Sequence, residues 1–125
     1  MSARLEAAQT LASDIRHALD EAGLTDVPVT LEARKLSTAA LVKHGGVLVT
    51  APRIEWPTFG ADTDLTWTII VAAGPPDREL TAWERIDTII DALIDSFLPI
   101  TQADPGQIRP ADGPAVPAYE LTVTS

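Results

Sequence analysis

Four carboxylates repeat along one predicted helix and are the residues best spaced for chemistry. Asp87, Asp91 and Asp95 follow one another at four-residue steps, which places them on one helical face, and Glu84 stands three residues before Asp87. Such a row could bind a divalent cation, contact a basic partner, line an acidic pore or form a solvated flank. Carboxylates suit calcium or magnesium, but the sequence contains nothing like a calcium-binding loop.

Residues for nucleophilic or acid–base catalysis are sparse. The chain has no cysteine, and His17 and His44 have neither a cysteine nor a second histidine at ligand spacing. The serines lack the surroundings of a nucleophile elbow. The turn at residues 44–46 has neither the spacing nor the lysine of a P-loop. We therefore predict a protein that is not an enzyme, with no catalytic residue, no cofactor and no metal.

Length and charge narrow the class of protein further. The 125 residues predict one domain, 1–125, and 46% apolar residues predict a real core. Eighteen Asp and Glu against nine Lys and Arg give a net charge of −9, which disfavours nucleic-acid binding. No apolar run approaches the roughly 18 residues of a membrane span. The charged N-terminus is unlike a signal peptide, so synthesis in the cytoplasm is expected.

Hydrophobic periodicity predicts the elements that position these groups. Two helices are predicted at 2–22 and 82–97, and strands at 27–34, 47–56, 64–73 and 117–124. Residues 36–43 fit either a short helix or an irregular crossover, and residues 57–63 and 100–116 are predicted loops. Pro52 marks an edge or a bulge in its strand. The order predicts an α+β fold, a four-stranded, mostly antiparallel sheet covered on one face by two helices.

Capping and apolar spacing give finer predictions. Ser2 is the expected N-cap of the first helix and Gly23 its C-terminal glycine. The segment 81–84 has the form of a capping box for the second helix. That helix has a wide apolar face, expected to cover the sheet with Trp83, Ile86, Ile89, Ile90, Leu93, Ile94 and Phe97.

Aromatic residues cluster at the tip of the predicted hairpin. Trp56, Pro57 and Phe59 would be costly to leave in water. Two interpretations stand beside each other: the side chains fold back onto the core, or they form a subunit contact, since aromatic residues commonly anchor interfaces.

Nearly the whole chain resembles a known family in its arrangement of elements. An alanine-rich helix and a strand precede VLVTAPRIEW, a short loop and DLTWTIIVAAG; PPDRELTAWERIDTIIDALIDSF follows, with Asp77 and Arg78 before the helix and Trp83 in its first turn. A proline-rich loop and a final strand close the chain. Together these segments resemble the tail terminator proteins of long-tailed bacteriophages (siphovirus type), the small subunits that cap the tail tube where it meets the head.

The resemblance implies an α+β subunit of a hexameric ring that stops tube polymerisation and offers a head-attachment surface. It implies a virion protein of the neck region, made in the host cytoplasm, without catalytic residues or membrane contact. The implied partners are further copies of the chain, the major tail tube protein, the head–tail connector protein and genomic DNA passing without specific binding.

Specific residues follow from the resemblance as expected contacts. In the two loops the interface is expected at Trp56, Pro57, Phe59, Asp62, Gln107 and Arg109. The acidic row of Glu84, Asp87, Asp91 and Asp95 is expected to face a partner or the lumen. Competing hypotheses are another neck, tail-completion or connector protein, a bacterial adaptor or ligand-binding domain, and a small metal-dependent enzyme using the aspartate row.

Overall fold

The computed structural model describes residues 2–56, 63–75, 77–96 and 98–124, and within these ranges three helices and one six-stranded sheet form. The α+β class is confirmed. In chain order the elements are α1 (Ala3–Glu21), β1 (Val29–Thr30), a 3-10 turn (Ala33–Lys35), α2 (Thr38–Lys43), β2 (Gly46–Val49), β3 (Arg53–Glu55), β4 (Asp64–Ala72), α3 (Glu79–Asp95), β5 (Ile100–Ile108) and β6 (Val116–Thr124).

The sheet is mixed and has the order β1-β2-β4-β6-β5, with β3 beside β4. β1 pairs with β2 in parallel, and all other pairs are antiparallel. The predicted number of four strands is wrong for two reasons. The predicted strand 47–56 divides around Pro52 into β2 and β3, which both pair with β4. Residues 100–108, predicted to be loop, form β5.

The main core lies between one face of the sheet and the helices α1 and α3. Alternate residues of β2, β4 and β6 point to this face, as strand geometry requires. They meet the apolar stripes of the two helices. The core includes Leu11, Ile15 and Leu19 of α1, Ile86, Ile89 and Leu93 of α3, and Val47, Val49, Trp67, Ile69, Val71, Leu121 and Val123 of the sheet.

A smaller core lies on the opposite face, so the prediction that helices cover one face only is wrong. Residues 36–43, left open by the sequence, form α2, whose first turn is capped by the Ser37 hydroxyl accepting from Ala40 N at 3.1 Å. Leu41 is fully buried and packs with Leu36 and Leu48. The rest of this cluster comprises Ala72, Val116 and Ala118.

Both predicted ends of α1 are confirmed. The Ser2 hydroxyl accepts a hydrogen bond from Leu5 N at 3.0 Å, and Gly23 follows the helix with a positive φ of 82°. Arg16 then ties the chain beyond the helix to α1, because its guanidinium donates to the carbonyl oxygens of Leu24, at 2.8 Å, and Val27.

The beginning and the face of α3 differ from the predictions. The helix starts at Glu79, and its N-cap Arg78 makes no side-chain capping bond, so the predicted capping box at 81–84 is wrong. Ile86 and Leu93 face the core as predicted, but Trp83 and Ile94 stay 49% and 54% exposed. An apolar arc this wide has one side turned toward the sheet and the other toward solvent.

β5 corrects the prediction of a long loop over residues 100–116. It pairs with β6 from Ile100 to Ile108, with an irregular register between Ile100 and Gln102. Residues 101–107 are exposed, so β5 is an edge strand that the helices do not cover. Only residues 109–115 connect the two strands.

Candidate functional site

The edge formed by β3 and the start of α1 carries the first candidate surface. This hairpin surface consists of Arg4, Leu5, Pro52, Ile54 and Trp56. All but Trp56 line one shallow groove, and Trp56 directly follows β3. The N-terminal turn of α1 lies over this groove because Leu5 and Ala8 line it too. An apolar concavity with an exposed tryptophan beside it suits contact with another macromolecule.

The second candidate surface lies at the opposite end of the sheet. This α3 surface consists of Leu80, Trp83, Asp87 and Ile94 on α3 and Pro105 on β5. The spacing of three, four and seven residues places the four helical residues on one stripe. Because β5 projects beyond the helices, its Pro105 joins Trp83 in lining a groove, together with Gln107 and Tyr119.

Among the described residues, exposed large apolar side chains are confined to these two surfaces. Within the described residues there are five of them, two on the hairpin surface and three on the α3 surface: Leu5 at 43%, Trp56 at 62%, Leu80 at 76%, Trp83 at 49% and Ile94 at 54% exposed. Single exposed apolar residues are ordinary, but a grouped arrangement marks an interaction site.

The acidic row divides between the α3 surface and its neighbourhood. Glu84, Asp87, Asp91 and Asp95 are all exposed. Asp87 lies among the apolar residues of the α3 surface, and the other three follow further around the helix. The ion pairs between described residues all lie within residues 1–56. Because no described residue pairs with the carboxylates of α3, they can meet a cation from outside.

The predicted loop contacts fall in different places. Trp56 belongs to the hairpin surface, and its side chain does not fold back onto the core. Gln107 lines the groove beside Trp83 at the other end of the sheet, and Arg109 is exposed just after β5. The structure thus separates Trp56 from Gln107. Pro57, Phe59 and Asp62 lie outside the described residues.

Sequence reasoning missed Leu5, Leu80, Trp83 and Ile94 as surface residues. Periodicity assigned Trp83 and Ile94 to the apolar face of the second predicted helix and did not place Leu80. One signal was available for α3: its apolar residues span more of the helical circumference than a single sheet contact can bury. These additional apolar residues of α3 predict a second contact. Which of them are exposed can be named only once the packing of α3 is known.

Charges near the hairpin surface are mostly neutralised within the chain. Arg53 pairs with Glu55 at 3.2 Å. Lys35 and Arg34, at 3.5 and 3.3 Å, hold the pKa of Glu32 below its ordinary value of 4.5. Arg4 differs, because no described residue pairs with it. Among the described residues of this surface, Arg4 is the unpaired cation.

The described residues contain no group of three or more His, Asp or Glu side chains that could hold a metal ion. His17 instead pairs with Glu21 on the exposed side of α1, at 3.0 Å. None of the described helices is long and apolar enough to cross a membrane. No protein-family model and no curated protein matches the chain in sequence comparisons.

Proposed function

We propose that the chain is a structural assembly subunit, and specifically the tail terminator of a long-tailed bacteriophage. In this role six copies form a ring at the head-proximal end of the tail tube, end tube polymerisation and present the head-attachment surface. The observation that carries the proposal is the placement of the exposed apolar side chains on two different surfaces at opposite ends of the sheet.

Two unlike surfaces on opposite sides suit a subunit of a cyclic assembly. A subunit in a ring has two neighbours and touches each with a different part of its surface. Leu80 and Trp56, the most exposed large apolar side chains among the described residues, would otherwise remain in water. Burying apolar area contributes roughly 25 cal/mol per Å², which favours assembly.

The net charge of the chain suits the lining of a channel through which DNA passes. A net charge of −9 repels phosphate groups, so a ring of such subunits does not hold the genome by counterion release. The acidic row on α3 contributes four of these charges, in a position where they face either the lumen or a basic partner. The partners on the two sides of the ring are the major tail tube protein and the head–tail connector protein.

Purified tail tubes of the encoding phage provide the test. When the protein is added, electron microscopy is expected to show one ring on one end of each tube, while tubes alone have bare ends. Absence of the protein from tube ends would refute the proposed function. Imaging of labelled protein in virions separates this role from that of another neck or connector protein by position, because the proposal places the protein at the end of the tail tube.

A further inference from the structure

The two candidate surfaces differ in charge as well as in position. Residues 1–56, which include the hairpin surface, contain six Lys and Arg and seven Asp and Glu. Residues 57–125, which include the α3 surface, contain three Lys and Arg and eleven Asp and Glu. Almost all of the net negative charge therefore belongs to the part of the chain that carries the α3 surface.

Pairing of two α3 surfaces about a two-fold axis is unfavourable. It would bring the exposed acidic rows of two copies together, with Asp87 among the apolar residues of both. Pairing two β5 edges about their middle residue would set Asp104 against Asp104, and like charges directly opposite each other destabilise a sheet. Pro105 also lacks the N–H that a continuous ladder would need.

The hairpin surface offers the matching chemistry. Leu5, Ile54 and Trp56 supply apolar area for contact with Trp83 and Ile94. The unpaired Arg4 supplies a cation where the α3 surface has the unpaired Asp87. Both surfaces have an exposed apolar area, and the hairpin surface adds a cation where the α3 surface adds a carboxylate. The two surfaces are therefore complementary in hydrophobicity and in charge.

We propose that the α3 surface of one copy binds the hairpin surface of the next copy, head to tail. The occupant of the groove beside Trp83 is therefore a second copy of this chain. A heterologous contact of this kind closes into a ring when a whole number of equal rotations between neighbours completes a full turn. The inference rests on the proposed ring-forming function and specifies which surfaces meet.

Because the chain has no cysteine, introduced cysteines report on contacts without background. Glu55→Cys places a thiol on β3 beside the hairpin surface, and Ala103→Cys places one on β5 beside the α3 surface. Both positions are exposed, so folding is expected to be unaffected. Each single variant and the double variant are treated with a short bis-maleimide, with and without purified tail tubes.

Head-to-tail docking predicts a ladder of crosslinked species from the double variant and no crosslinks within either single variant. An equimolar mixture of the single variants is expected to stop at dimers, because each chain then has one thiol. Dimers formed by one single variant alone would overturn the proposal in favour of a two-fold contact. Ring assembly without a ladder overturns the docking alone, whereas a chain that stays monomeric, even on tubes, overturns the proposed function too.

Discussion

Asp112 and Thr38, which lie 74 residues apart in the sequence, are joined by two hydrogen bonds. Oδ1 of Asp112 accepts from both the backbone N–H and the hydroxyl of Thr38, each at 2.9 Å. Thr38 is the first residue of α2, and Asp112 lies in the connection between β5 and β6. The pair therefore fastens that connection to the helix covering the second face of the sheet.

Removing the Asp112 charge is expected to change how stability depends on pH. The backbone N–H of Thr38 and then its hydroxyl lower the pKa of Asp112 below its ordinary value of 3.8. A carboxylate with a lowered folded pKa contributes stability above its unfolded pKa and loses it as pH falls through the folded pKa. Asp112→Asn should therefore flatten the fall in stability below roughly pH 5.

Urea unfolding between pH 7 and pH 2.5 measures this effect. Asp14→Asn on the exposed side of α1 is the control, because no described residue hydrogen-bonds to that carboxylate. Equal pH dependence of the wild type and Asp112→Asn would contradict the assigned role of the pair.

Gly113→Ala is expected to disturb the same contact sterically. A Cβ at Gly113 would lie 2.1 Å from Oγ1 and 3.2 Å from Cβ of Thr38, so the threonine must shift. We expect a loss of about 1–3 kcal/mol in the free energy of unfolding, typical of overpacking. Gly106→Ala is the matched control, with no atom within 4 Å of its added Cβ, and should stay within about 0.5 kcal/mol of wild type.

Leu93 and Ile94 are neighbours in sequence, but truncation at Leu93 should cost much more stability than truncation at Ile94. Leu93 is fully buried between α3 and the sheet, whereas Ile94 is 54% exposed. Leu93→Ala should lower the free energy of unfolding by about 2–5 kcal/mol. Ile94→Ala should change it by less than about 1 kcal/mol in the isolated subunit. Chemical denaturation of dilute protein measures both, and a large loss for Ile94→Ala would place this residue in the core instead.

Charge reversal on the two surfaces should weaken assembly and then restore it. Arg4→Glu and Asp87→Arg are each expected to raise the concentration for half-assembly about threefold to tenfold, because one partner of a complementary contact becomes repulsive. The double variant should recover part of the loss. Lys43→Glu is the control, because Lys43 lies on α2, which packs on the opposite face of the sheet and lines neither groove. Light scattering at low and high salt measures the effect, and single variants that assemble as wild type would contradict the contact.

The main core and the central strands could be predicted from the sequence because burial of one face imposes a regular spacing on the apolar residues. Leu11, Ile15 and Leu19 recur at helical steps, and Trp67, Ile69 and Val71 alternate along β4. β5 lacks such a signal because both of its faces are exposed over 101–107. Its strand conformation comes from pairing with β6, a long-range contact that no local pattern reveals.

The candidate site was only partly predictable for a related reason. Trp56 stood out because an aromatic residue on a hairpin tip is unusual whatever the packing. The exposure of Trp83 and Ile94 depends on how α3 is rotated against the sheet, which buries Ile86, Ile89 and Leu93 instead. The number of apolar residues on α3 indicates an excess, but only this packing decides which of them stay exposed.

Growth of tail tubes measured after the protein is bound tests the proposed function most directly. Purified major tail protein is polymerised with and without this chain, fresh tube subunits are added, and tube lengths are measured by electron microscopy. A terminator is expected to block growth at the occupied end. The bound ring would consist of six 13.3 kDa chains and have a mass of about 80 kDa. Tubes that keep growing at the same rate from ends exposed to excess protein would contradict the proposal.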